Sequence, residues 1–86
     1  MNRRGWYDIA IDILESGLTP LSKTRLMYKS NLSYARFQKY FRSFLQKNLL
    51  QEVENKDGRT KHYVTSNRGK TLLKALKNAE RIFSGN

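Results

Sequence analysis

The sequence has no cysteine, a single histidine and few acidic residues, and these shortages exclude several kinds of site. Without cysteine, the chain cannot form disulfide bonds or thiolate metal sites. His62 lacks a second histidine or a cysteine with which to share a metal ion or build a nucleophilic pair. Nothing in the sequence assembles a nucleophile, a base and a stabilising group. We therefore predict a protein without enzymatic activity and without cofactors or metal ions.

Long apolar runs are also missing, because none approaches the roughly 18 residues that cross a bilayer. Asp8, Asp12 and Glu15 interrupt the apolar pattern near the N-terminus, which excludes the hydrophobic region of a secretory signal peptide. We therefore expect a cytoplasmic protein with no membrane partner. The three carboxylates could in principle bind a divalent metal, but no other ligand type accompanies them. We interpret them as a solvated face that turns away from a polyanion.

Basic residues are abundant instead. Seventeen Lys and Arg against seven Asp and Glu give a formal net charge of +10 in 86 residues, a length that makes one small domain. Such a surplus favours a polyanionic partner: DNA, RNA or an anionic membrane. Charge density alone does not distinguish these partners, so the patterns along the chain have to.

The central stretch from Ser22 to Lys47 has the pattern of two helices joined by a short turn. Ser22 and Ser33 each stand where a helix N-cap is expected, one short helix apart. The first helix is predicted from Ser22 to about Ser30, Asn31-Leu32 forms a tight break, and the second helix runs from Ser33 to Lys47. This spacing is typical of a helix–turn–helix.

The second of these helices has an aromatic face and a polar, cationic face at 3.6 residues per turn. The aromatic face, which we expect to be buried, comprises Tyr34, Phe37, Tyr40, Phe41, Phe44 and Leu45. The other face comprises Ala35, Arg36, Gln38, Lys39, Arg42, Ser43 and Gln46. A small residue permits close approach to DNA, Gln can read adenine, and Arg can read guanine or bind phosphate. This face predicts a recognition helix, although an ordinary amphipathic helix with a solvated basic face is an equally open interpretation.

Before this stretch, the sequence predicts a helix from Gly5 to Ser16, with Gly17 as its C-cap. Its apolar stripe comprises Trp6, Ile9, Ala10, Ile13 and Leu14. The following segment contains Pro20, which disfavours helix at Thr19. A strand of one or two residues could form there and pair with a later hairpin.

After Asn48 the periodicity changes from that of a helix to that of strands. Leu49–Glu54 and Thr60–Thr65 are predicted as strands, and Asp57-Gly58 between them is a strong hairpin signal. The tip carries three basic residues, Lys56, Arg59 and Lys61. Because this hairpin directly follows a helix–turn–helix, we expect it to act as a wing on a minor groove or phosphate backbone, although exposed tips are often charged.

The last helix is predicted from Thr65-Ser66 to about Phe83, with an apolar and a basic stripe. The apolar stripe has the alternating spacing of a coiled-coil seam and comprises Leu72, Leu76, Ala79 and Phe83. The basic stripe comprises Lys70, Lys74, Lys77 and Arg81. The apolar side either packs on the first helix of the same chain or pairs with a second copy. We favour pairing through the half from Leu76 to Phe83, which predicts a homodimer with residues 66–83 as its dimerisation element.

Taken in order, these elements make a mainly α protein with a small β-hairpin: a winged helix-turn-helix in a single domain, 1–86. The sequence also resembles archaeal winged-helix proteins described as predicted transcriptional regulators. Ser22–Tyr34 looks like their second helix and turn, and Lys47-Asn48-Leu49-Leu50 resembles the Lys-Gly-Leu-Ile that leads into their first wing strand. Tyr63-Val64-Thr65 followed by Gly69 is similar to their Tyr-x-Thr-x-x-Gly entry to the last helix. The resemblance covers the chain from about Tyr7 to Phe83.

Some members of that family are abundant chromatin proteins that dimerise through an antiparallel coiled coil made by the last helix. The resemblance therefore implies double-stranded DNA binding by Arg36, Lys39, Arg42 and the wing. It also implies dimerisation through Leu72 to Phe83. The last helix looks shorter here than in the coiled-coil members, which bears on the oligomeric state more than on DNA binding.

We predict a nucleoid-associated, double-stranded DNA-binding protein that acts as a transcriptional regulator or as a chromatin architectural protein. Residues 33–47 are expected in the major groove and the wing, 55–61, on the backbone or in the minor groove. The predicted DNA-binding residues are Lys23, Arg25, Lys29, Ser33, Ala35, Arg36, Gln38, Lys39, Arg42, Lys56, Arg59 and Lys61. Two alternatives remain: a protein-binding module of the transcription machinery that uses Tyr28, Tyr34 and Tyr40, and an RNA-binding protein, which exposed aromatic residues would favour.

Overall fold

Four helices and two strands follow one another in residues 5–84, the range that this computed structural model describes. They are α1 (Trp6–Ser16), α2 (Lys23–Lys29), α3 (Tyr34–Gln46), β1 (Leu50–Glu54), β2 (Lys61–Thr65) and α4 (Asn67–Phe83). The predicted order of helix, helix–turn–helix, hairpin and helix is confirmed, with boundaries shifted by one or two residues. The ends of the predicted domain, residues 1–4 and 85–86, lie outside the described range. No helix within that range is long and apolar enough to cross a membrane.

The core is built around α1, which buries one side completely. Its fully buried residues are Ile9, Ala10, Ile13 and Leu14. The other elements contribute Leu26, Phe37, Phe41, Phe44, Leu49, Leu50 and Leu73. Burying one such large side chain stabilises the fold by about 1.5–3 kcal/mol. The predicted stripe is wrong at its first residue: Trp6 is 61% exposed, because it starts α1 at the edge of the core, and Ile11 is buried instead.

The helix starts follow the predicted serines, with one difference. The Ser22 hydroxyl accepts a hydrogen bond from the Arg25 backbone N–H at 3.3 Å, and Ser66 accepts one from Gly69 at 2.9 Å. Ser33 occupies the N-cap of α3 with extended backbone but makes no side-chain capping bond. In the turn before it, Asn31 has a φ of 56°, the left-handed conformation that asparagine tolerates better than most residues.

The hairpin ties α1, α3 and α4 together. Its strands pair antiparallel, from Leu50 opposite Thr65 to Glu54 opposite Lys61. The predicted extra strand is confirmed as an isolated bridge between Leu21 and Tyr63. The Thr65 hydroxyl donates to the backbone oxygen of Leu14 at 2.6 Å, which fixes the end of β2 against α1. These contacts determine where α3 and the hairpin tip lie relative to the core.

The last helix divides into a packed part and an exposed part. Leu73 is buried, and Leu72 and Leu76 pack half-buried against the core, so this part of α4 packs on the same chain's α1. Ala79 is exposed, and Phe83 is 86% exposed. Pairing of the exposed end with a second copy stays a prediction.

Candidate nucleic-acid interface

Helix α3 is held by its phenylalanines. Phe37, Phe41 and Phe44 are buried, and the Phe37 and Phe41 rings stack with their centroids 5.2 Å apart. Phe41 also meets the Tyr63 ring of β2 edge-on at 4.8 Å between centroids. The predicted aromatic face is therefore confirmed for most of its length. It is wrong at Tyr34, which is 63% exposed because the first turn of α3 projects beyond the core.

The opposite face of α3 carries exposed cations. Arg36, Lys39 and Arg42 are exposed, as is the small Ala35 among them. The three cations are three residues apart, so they span about 9 Å along the helix at 1.5 Å per residue. Within residues 5–84 the two ion pairs are Lys61–Glu52 and Lys77–Glu15, so the cations of α3 are not neutralised by that part of the chain. We refer to Arg36, Lys39 and Arg42 as the α3 cations.

Gln38 is placed differently from the other predicted base-reading residues. It is half-buried, and its Oε1 is buried without a hydrogen-bond partner. A buried acceptor of this kind costs about 1–3 kcal/mol when it is unpaired. Reading of an adenine edge by the Gln38 amide stays a prediction, and it requires this oxygen to become accessible.

Helix α2 contributes two exposed cations and a third that lies over aromatic rings. Arg25 and Lys29 are exposed, as expected of phosphate-binding residues. Lys23 is half-buried, and its Nζ lies 5.0 Å from the centre of the Phe41 ring and 5.8 Å from that of Tyr34. Such cation–π contacts contribute about 0.5–1 kcal/mol at exposed sites. Lys23 is therefore partly covered by these rings, whereas Arg25 and Lys29 are exposed.

The wing tip is shaped by a carboxylate whose role the sequence analysis missed. Asp57 accepts hydrogen bonds from the backbone N–H groups of Arg59 at 2.8 Å and Thr60 at 3.2 Å, and from the Thr60 hydroxyl at 3.1 Å. The bond from Arg59, then that from Thr60, holds the pKa of Asp57 below its ordinary value. Gly58 follows with a φ of 69°, a conformation that favours glycine. The Asp57-Gly58 dipeptide is the sequence signal from which this role of Asp57 in the turn could have been predicted.

The three predicted wing cations have different surroundings. Lys56 and Arg59 are exposed at the tip. Lys61 lies in β2, where its Nζ is 3.8 Å from the Glu52 carboxylate across the hairpin. Because this pair is exposed, it contributes little to stability. The tip therefore presents Lys56 and Arg59 more freely than Lys61.

Together these elements define a winged helix-turn-helix. The chain belongs to the winged helix-turn-helix family, whose profile matches residues 3–84. Among solved structures it is similar to Sso10a-2, a DNA-binding protein from Sulfolobus solfataricus, with a TM-score of 0.81 and 26% identity over 94% of this chain and 83% of that one. The resemblance to archaeal winged-helix DNA-binding proteins is thereby confirmed.

A second similar structure is the adhesin competence repressor AdcR from Streptococcus pyogenes. It matches with a TM-score of 0.66 and 16% identity over 87% of this chain and 57% of that one. At this identity the likeness shows the fold alone. No curated protein matches the sequence.

Proposed function

We propose that this protein binds double-stranded DNA, with α3 in the major groove and the wing, 55–61, on the backbone or in the minor groove. The observation that carries the proposal is the exposed row of α3 cations, which has no ion pair within residues 5–84, on a helix whose other side is fixed in the core. Arg36 and Arg42 can each bind phosphate or guanine, and Ala35 permits the helix to approach closely. The net charge of +10 and the likeness to Sso10a-2 support the same conclusion.

We assign most of the affinity to phosphate contacts. Arg25 and Lys29 of α2, the α3 cations, and Lys56 and Arg59 of the wing are spread over three elements, which suits a duplex backbone better than one base pair. The protein then acts as a non-enzymatic transcriptional regulator or as an architectural protein of the nucleoid. Selection of bound sequences from random duplexes separates these roles, because a regulator yields a sharp motif and an architectural protein yields none.

We further propose a homodimer formed through the exposed end of α4. A mainly apolar surface groove there is lined by Trp6 and Tyr7 of α1 and by Leu76, Ala79, Ile82 and Phe83 of α4, together with one charged residue, Glu80. It continues the predicted seam of Leu72, Leu76, Ala79 and Phe83. Contiguous exposed apolar surface of this kind marks interaction sites, and a second copy of α4 offers a matching apolar stripe. Trp6, expected in the core, joins the seam in this arrangement.

The exposed tyrosines favour a second candidate, recognition of protein or RNA by the same scaffold. Tyr28 is 72% exposed and Tyr34 63% exposed, whereas Tyr40 is half-buried. Competition among duplex DNA, duplex RNA and single strands of equal length separates DNA binding from RNA binding, whereas a protein-binding module would bind DNA weakly and with no sensitivity to R36Q/R42Q. We expect duplex DNA to compete best; a preference for single strands or duplex RNA contradicts the proposal.

A further inference from the structure

The outer side of α4 carries a row of polar residues that the proposed interface does not use. Its members are Asn67, Lys70, Lys74, Asn78 and Arg81. At 100° per residue they fall within an arc of about 80°, and from first to last they span about 21 Å. All five are exposed. We call this row the α4 ridge.

The ridge keeps its positive charge. Within residues 5–84 the two ion pairs are Lys61–Glu52 and Lys77–Glu15, so Lys70 and Lys74 belong to neither. The Arg81 Nη2 donates to Asn78 Oδ1 at 2.9 Å, which leaves the Asn78 amide N–H groups free to donate outward. No carboxylate belongs to the ridge itself. Lys, Arg and Asn are side chains that bind phosphate oxygens.

The ridge has different neighbours from the α3 cations. Helix α4 packs mainly against α1 and β2, whereas α3 packs against β1. We propose that the α4 ridge is a second DNA-binding surface, which holds the phosphate backbone of another duplex segment. A duplex carries about one charge per 1.7 Å of axis, so a ridge of this length faces several phosphates. The choice of duplex DNA over other polyanions rests on the proposed function. Once α3 has bound a duplex, other segments of that DNA are present near the ridge at a raised local concentration.

A matched pair of variants tests the ridge. K70Q/K74Q removes two ridge charges, and R68E lowers the net charge by the same two units at one exposed residue outside the ridge and outside residues 33–47; Gln and Glu both keep a good helix propensity. In a two-duplex assay, an immobilised duplex holds the protein, which then captures a second, labelled duplex. We expect K70Q/K74Q to retard a single duplex like the wild type but to lose second-duplex capture at least tenfold. The slope of log affinity for the second duplex against log salt should fall in magnitude by about 1.8 per protomer.

Because a dimer also captures a second duplex through its other α3, K70Q/K74Q and R68E are compared on the F83D background, which removes the proposed dimer contact at an exposed residue. Capture by K70Q/K74Q equal to that of the control overturns the proposal. Equal losses of capture and of single-duplex retardation also overturn it, since the ridge is then part of the first interface.

Lysine acetylation of the full-length protein, read by mass spectrometry, gives an independent measurement. We expect excess duplex to protect Lys70 and Lys74 from acetylation, and to do so also in R36Q/R42Q, which lacks two α3 cations. If Lys70 and Lys74 stay reactive while retardation is normal, the ridge proposal fails and the proposed function stands. If they are protected and R36Q/R42Q retards DNA like the wild type, the α3 assignment fails and the ridge stands.

Discussion

Replacing Arg36 and Arg42 by glutamine gives the sharpest test of α3 as the DNA-binding helix. Both side chains are exposed and neither has an ion-pair partner within the described residues, so the fold should tolerate the change to within about 0.5 kcal/mol. If each protomer neutralises roughly 4 phosphates, the slope of log affinity against log salt is about −3.6 per protomer. Removing two contacts lowers its magnitude to about 1.8.

This difference is large enough to measure by fluorescence anisotropy. Between 50 and 200 mM salt, wild-type affinity should fall about 150-fold per protomer, and that of R36Q/R42Q only about 12-fold. The control R68E carries the same change in net charge at an exposed residue of α4 and should keep a slope nearer to that of the wild type. A slope for R36Q/R42Q equal to that of the wild type, with normal thermal unfolding, refutes the placement of α3 in the groove.

Three further predictions concern the wing, the seam and the core. Asp57→Ala removes the acceptor of three loop hydrogen bonds, so we expect a several-fold weaker DNA affinity at an unchanged melting temperature. The folded pKa of Asp57 is lowered below 3.8. NMR should therefore show an ordered loop above pH 3.8 and a loss of that order as the pH falls through the folded pKa. Phe83→Asp should yield monomers in sedimentation without loss of stability, because Phe83 is 86% exposed; a wild type that is already monomeric contradicts the seam. Gly69→Ala should destabilise by roughly 1–3 kcal/mol in thermal unfolding, because its new Cβ collides with the Leu49 carbonyl oxygen; an unchanged midpoint contradicts the close packing of α4 there.

The parts of the fold that could be predicted are those set by local pattern. The spacing of Phe37, Phe41 and Phe44 defines α3 because a helix buries one side along its length. Asp57-Gly58 defines the hairpin because the turn needs a glycine with positive φ. The ends of helices cannot be predicted in this way, because a helical projection does not show where the core ends along the axis. It assigns Trp6 and Tyr34 to buried faces, but both lie in first turns that extend beyond the core and are exposed.

Contacts between distant residues could not be predicted either. The Lys23 ammonium lies over the ring of Phe41, which only the packing of α2 on α3 brings within reach. Likewise, the buried Oε1 of Gln38 depends on how tightly the neighbouring elements close on α3. The cations on the fully solvated side of α3 were identified correctly as exposed, because a solvated position depends little on tertiary packing.

The two helices proposed to bind partners differ in how cleanly function can be separated from folding. On α3 the phenylalanines provide the packing and the cations provide none, so substituting Arg36 or Arg42 should change binding alone. On α4, Leu72 and Leu76 pack on the core of their own chain and also belong to the proposed seam. A loss of dimerisation in Leu76→Ala would therefore be ambiguous, since the truncation also removes packing against the core of the same chain. Substitutions at the exposed end, at Ala79, Ile82 or Phe83, can report on the dimer without disturbing the monomer.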